Sequence, residues 1–357
     1  MRAFNFSAGP GTLPVAILEE MAGELPIYKE IGSSVMEISH RSATYTEIAA
    51  SARASLRRLL GMGDDWHIVF LQSGASMQFY QVPLNFLRED DSADYLDTGT
   101  WSAKAIKEAL RVGRVNVPAS SKDKNYSYIP TPDTWTLDAH AAYLHFTSNN
   151  TIFGTQYATE PEADVPLVCD ASSDFLSRPI DLDKYGLIYA GAQKNVGPAG
   201  VTIVLIKDSF LQTRKPDLPT MLDYGTHTAK LFHTPPVYAV YAVEKVLRWL
   251  EDFGGLEAMQ AQNETKAKVL YDAIDGTDFY SGAAREDSRS LMNVTFRIAS
   301  GEDMEAKFLA EAKEAGLLAL KGHRSVGGIR ASIYNAMEPA GVDALVGFMK
   351  AFEQANG

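Results

Sequence analysis

One cysteine, Cys169, stands among 357 residues. An intrachain disulfide is therefore excluded, and a structural zinc site built on several thiolates is argued against. No metal is expected, and the lone thiol fits a reducing, cytoplasmic setting. Missing too is any apolar run near the ~20 residues of a membrane span. The opening MRAFNFSAGPGTLP lacks the long apolar stretch of a signal peptide. Positive charge is scarce: 33 Lys and Arg against 45 Asp and Glu leave a net charge of −12, which speaks against non-specific nucleic-acid binding. An acidic chain that binds anions must gather its few cations locally, so the placement of arginine is informative. Repeats, low-complexity tracts and long linkers are also lacking.

What is present reads as α/β. The length predicts two domains. Short apolar runs alternate with helix-like segments from about residue 66 to 206, beginning with HIVFLQ (67–72) and DYLDTG (94–99). AYLHFTSN (142–149), PLVCDAS (166–172), LIYAGA (187–192) and VTIVLIKD (201–208) follow. Apolar rather than alternating strands indicate a buried, mainly parallel sheet flanked by helices. The segment 234–255 predicts a long helix, opened near Pro235–Pro236 and ended by Gly254–Gly255. The expected division is an N-terminal segment 1–15 reaching the site, a large domain 16–255, and a smaller α+β domain 256–357.

Candidate chemistry falls at strand ends, where open α/β sheets place it. GAQKNVGPAG (191–200) sets Lys194 among small residues directly after an apolar run. Its glycines and Pro198 suggest a fixed, sterically open loop. Asp170 ends the preceding apolar run. A carboxylate and a lysine so placed suit pyridoxal phosphate (PLP), whose aldehyde a lysine captures while an acid holds the ring nitrogen protonated. A buried ion pair is the plainer alternative. SGASMQF (73–79) offers Ala75 and Ser76 at a helix N-terminus, a phosphate cradle or an ordinary turn. Trp101 suits stacking on a planar ring, or core packing. Cys169, next to Asp170 on a strand, is expected to face the other way. Two HRS tripeptides carry His40–Arg41 and His323–Arg324, with Arg330 close behind the second. Arginine presents a planar fork to carboxylate or phosphate, although lone arginines are commonly surface residues.

NFSAGP, EISHRS, SGAS, TGTWS, DASSDFLSRPID, GAQKNVGPAG, TPP and GHRSVGGIRASIYNA occur in that order along nearly the whole chain. Together they resemble the phosphoserine aminotransferase family, fold-type-I PLP enzymes of the class V group. The resemblance implies a Schiff-base lysine at Lys194, with Asp170 on the pyridine nitrogen and Trp101 on the ring. It implies Thr151 on the phenolic oxygen, and Ala75, Ser76 and Gln193 on the cofactor phosphate. His233 and Thr234 would complete that phosphate site from a second subunit, making a homodimer with shared sites. Arg330 would take the substrate α-carboxylate. His40 and Arg41 from the partner, with His323 and Arg324, would take a distal phosphate or carboxylate. Two positions depart from the family pattern: His233 stands where Asn is common, and SGASMQF lacks an arginine that some members carry.

The implied reaction is amino transfer from L-glutamate to 3-phosphohydroxypyruvate, giving O-phospho-L-serine and 2-oxoglutarate in serine biosynthesis. A related transfer giving 4-phosphohydroxy-L-threonine, towards pyridoxine, stays open on the sequence. Another PLP reaction, or a non-catalytic protein of the same fold, is the alternative. A dehydrogenase lacks support, since no G-x-G-x-x-G follows a strand in the N-terminal half.

Overall fold

The computed structural model describes residues 2–357. Among them a seven-stranded sheet forms from β1 (Trp66–Leu71), β2 (Ser92–Tyr95), β3 (Arg114–Asn116), β4 (Ala141–Thr147), β5 (Leu167–Asp170), β6 (Tyr185–Gly191) and β7 (Thr202–Lys207), in the order β1-β7-β6-β5-β4-β2-β3. Its central strands are buried on both faces, as their uninterrupted apolar runs require. One face packs Ile68, Phe146, Cys169, Ile188 and Leu205. The opposite face packs Val69, Tyr95, Tyr143, Val168 and Tyr189.

Strand β7 runs antiparallel to both neighbours, while the other pairings are parallel. The reason lies in the connection. Residues 192–201 are too few for a helical crossover, which needs a dozen or more, so β6 and β7 close as a hairpin. Lys194 rides on that hairpin.

Helix α1 (Ala43–Leu60), α2 (Ala75–Phe86), α3 (Thr100–Ala109) and α4 (Val237–Asp252) cover the sheet or one another. The apolar stripe Val240, Val243, Val246, Leu247 and Leu250 of α4 is buried. Polar bonds from Ser51 to Glu244 (3.0 Å) and from Ser55 to Glu251 (2.7 Å) fix α1 beside it. Helix α5 (Gly255–Asp275) then changes cores: Leu256 and Met259 join the first, Ala267, Leu270 and Ile274 the second. That second core gathers β8 (Tyr280–Gly282), β9 (Asn293–Ile298), α6 (Glu302–Glu314), β10 (Ile329–Ser332) and α7 (Pro339–Asn356), together with Phe6. The N-terminal pair Phe4–Asn5 lies parallel to Leu317–Leu318. Among the described residues no helix is long and apolar enough to cross a membrane.

Candidate active site

Strands β1, β2, β4, β5 and β6 deliver their following loops to one edge of the sheet. A cavity of about 130 Å³ opens there. Its walls include Ala75, Ser76, Trp101, Asp170, Gln193 and Lys194, six of the positions singled out in the sequence. Ala75 and Ser76 begin α2, where the first N–H groups have no helical partner, and both residues line the cavity.

The hairpin turn holds Lys194 tightly. A Cβ at Gly197 would stand 2.8 Å from Val243 Cγ2, so that glycine lets the turn lie against α4. Gly200 has φ +107°, open to glycine at little cost. The loop is therefore close-packed at Gly197, not open as its composition suggested. Lys194 Nζ donates to Thr151 Oγ1 at 2.6 Å and lies 5.9 Å from the centre of the Trp101 ring. Burial, with help from the nearby Arg330 charge, lowers its pKa to about 8; Asp170 and Asp174 pull the other way.

Asp170 is 4 % exposed. Its Oδ1 accepts the Ser172 N–H at 3.0 Å. Burial pushes its carboxyl up from the ordinary range, against the lowering effects of Ser172 and Lys194. Cys169 faces the opposite core, where its burial raises the thiol pKa.

Arg330 reaches the same place from β10. It approaches the Thr151 carbonyl at 3.5 Å, and its Nε is buried without a partner. Burial depresses even this guanidinium. His323 lies near enough to Arg330, Arg324 and Lys104 that their charges, after burial, lower its pKa. Its Nδ1 accepts the Ser325 N–H at 3.2 Å, which leaves Nε2 as the ring donor in the neutral form. Arg324 is exposed.

The remaining positions stand apart within one chain. His40 and His233 line a separate, larger cavity of about 450 Å³. His233 packs edge-on against His227 at 5.3 Å, and both its ring nitrogens are buried without a partner. Burial, then His227 and His40, lower its pKa. Arg41 and Thr234 are exposed.

A family model described as Aminotransferase class-V matches residues 3–345. Over its full length the chain is 54% identical to a phosphoserine aminotransferase of Desulfatibacillum aliphaticivorans, covering 99% of that protein. The solved phosphoserine aminotransferase of Bacillus circulans subsp. alkalophilus superposes with a TM-score of 0.97 at 47% identity, covering 100% of this chain and 99% of that one. A PLP-bound phosphoserine aminotransferase from Trichomonas vaginalis gives 0.94 at 41% identity, covering 98% and 100%. The chain belongs to the class-V aminotransferase family.

For a class-V aminotransferase the cavity's donor set suits PLP. A deep carboxylate, an amine of lowered pKa, an aromatic wall and a free helix N-terminus match a basic ring nitrogen, an aldehyde, a flat ring and a phosphate. Two buried polar atoms in that wall, Trp101 Nε1 and Thr147 Oγ1, lack partners. Such atoms are costly unless something meets them.

Sequence reasoning missed several members of this class-V site. Ser172 fixes Asp170 and accepts the Gly191 N–H at 3.1 Å, tying two strand ends together. Asn149 lines the cavity while bonding Ser173 (2.9 Å) and Asn293 (2.8 Å). The usable signal was density: SNNT and DASSD place polar residues at the ends of buried strands, where each needs a partner.

Proposed function

We propose that this protein is a phosphoserine transaminase. It transfers the amino group of L-glutamate to 3-phosphohydroxypyruvate, reversibly, with PLP as cofactor. One observation carries the reading: Lys194 and Asp170 line one cavity, with the Arg330 guanidinium close enough to act on Lys194 and its Nε without a partner, in a chain related along its whole length to phosphoserine aminotransferases.

When bound, PLP supplies an aldehyde that takes up amines and a ring that accepts electrons from the reacting carbon. Asp170, whose carboxyl burial pushes up from the ordinary range, would hold a proton on the ring nitrogen. Trp101 would cover the ring; Ala75, Ser76 and Gln193 would hold the phosphate, and Thr151 would bond the phenolic oxygen. Arg330 receives the α-carboxylate of either amino acid. The Lys194 amine would draw the proton from Cα of the amino acid. With a pKa of about 8 it is partly neutral near pH 7 and suited to pass that proton on. Both amino acids use one site in turn, so kinetics are ping-pong.

His323 and Arg324 supply part of a cationic pocket for the distal phosphate or carboxylate. We assign the rest to His40 and Arg41 of a second copy, and to the same copy His233 and Thr234 at the cofactor phosphate. The working unit is thus a homodimer. We also keep the division at 1–15, 16–255 and 256–357, and a cytoplasmic setting. A coupled assay with 3-phosphohydroxypyruvate and glutamate tests the reading. Formation of phosphoserine and 2-oxoglutarate, with poor use of alanine, is expected; no phosphoserine would remove it.

A further inference from the structure

Helix α5 turns two polar side chains inward one turn apart. Asn263 is fully buried and Lys266 is 1 % exposed. Lysine is among the residues least often found so deep. No carboxylate answers it among the described residues; burial alone lowers its pKa, to about 7. Three backbone carbonyls meet the amine instead: Ile333 at 3.1 Å, Tyr334 at 2.9 Å and Met337 at 3.0 Å. An ammonium has three N–H donors, and each finds one carbonyl here.

Those carbonyls belong to the turn that follows β10, the strand carrying Arg330. The same turn touches the reactive end of the molecule at several points. Tyr334 Oη donates to the Ala8 carbonyl at 2.7 Å and accepts from Asn293 Nδ2 at 3.1 Å. The Tyr334 ring leaves so little room at Gly11 that a Cβ there would stand 2.9 Å from it and 2.7 Å from the Lys194 carbonyl. The Asn335 N–H donates to Asn195 Oδ1 at 3.0 Å, one residue beyond Lys194. Asn263 grips Asn335 Oδ1 at 2.9 Å. Helix α5 thus holds the turn, and the turn joins the Arg330 strand to the Lys194 hairpin. An apolar side chain would fill the space at Lys266 at lower desolvation cost, but it would leave three carbonyls unpaired.

We propose that Lys266 is a positioning residue for the amino-acid carboxylate: its grip on the 333–337 turn sets Arg330 and Tyr334 against Lys194. The proposal rests on the reading of Arg330 given above.

The test uses the PLP-loaded enzyme and four variants: Lys266→Met, Lys266→Gln, Arg330→Ala and Leu345→Ala. Leu345 is buried in the same core, away from the turn's hydrogen bonds, and reports general loosening. Lys266→Met is expected to raise KM for glutamate and phosphoserine together by about tenfold, with the cofactor's visible absorbance retained. Lys266→Gln keeps two N–H donors and recovers part of the loss. Leu345→Ala lowers the melting temperature and leaves both KM values near wild type. If Lys266→Met melts early like Leu345→Ala yet keeps wild-type KM values, the lysine is only a strut and the proposal is overturned. Should Lys266→Met fail to fold, Lys266→Gln decides: raised KM values support the role, unchanged ones overturn it. Arg330→Ala separates the two claims. Wild-type KM values there remove the carboxylate reading itself, whereas impaired Arg330→Ala beside unimpaired Lys266 variants removes the positioning role alone.

Discussion

His40-Arg41-Ser42 and His323-Arg324-Ser325 are the same three residues in two settings. Ser42 caps the eighteen-residue helix α1, accepting the Tyr45 N–H at 3.2 Å, and leaves His40 beside His227 and His233. Ser325 turns inward on its own tripeptide: its hydroxyl lies 2.7 Å from His323 Nδ1, in a loop that Arg297 ties down through the Val326 carbonyl at 3.1 Å. One copy sits among the charges of Arg330. The other lines a different cavity from Lys194. A short motif therefore sets which anion-binding groups are offered, and the surrounding element sets where. On our reading the first tripeptide serves a neighbouring subunit and the second serves its own.

The largest expected effect removes what both tripeptides serve. Lys194→Ala should cut transamination by more than about 10⁴-fold with the fold intact, read by coupled assay and circular dichroism. Near-normal turnover would leave the tripeptides with no common task. Subunit mixing then separates them. Arg41→Ala and Lys194→Ala proteins, each impaired alone, should regain on mixing about a quarter of wild-type activity, since half the dimers are hybrids with one intact site. No regain would place Arg41 in its own chain's site. On the same reading Arg324 and Lys194 serve one site of one chain, so Arg324→Ala mixed with Lys194→Ala should regain nothing beyond the sum of its parts.

A third measurement probes the electrostatics on the Arg330 side. The neutral amine attacks an aldehyde, so the rate at which cofactor-free protein captures PLP should rise with pH and level off above about 8. A rate still climbing towards the ordinary lysine value would show that Lys194 is not desolvated as described. The smallest effects sharpen the serine contrast. Ser42→Ala should cost about 1 kcal/mol of stability, measured by denaturant titration, with KM unchanged. Ser325→Ala should leave stability alone and raise KM for phosphoserine about threefold, through a less ordered His323 ring.

Much of the large core was legible because its strands are continuous apolar runs, and a run such as VTIVLIKD has few other homes. The direction of β7 was harder to see. It depends on the shortness of the 192–201 connection rather than on any residue within the strand. Lys194 and Asp170 stood out because an ionisable residue directly after a buried strand is unusual. Lys266 did not, since it sits on a helix rich in charged residues, where periodicity assigns lysine to water. Its carbonyl partners lie far along the chain, and nothing local to α5 announces them. Ser172 and Asn149 were hidden likewise, because a polar residue's partner is a property of tertiary packing.

The account depends most on the covalent site. Borohydride reduction of the PLP-loaded enzyme, followed by peptide mapping, should find the cofactor's mass on Lys194. A tag on another lysine, or on none, would contradict it.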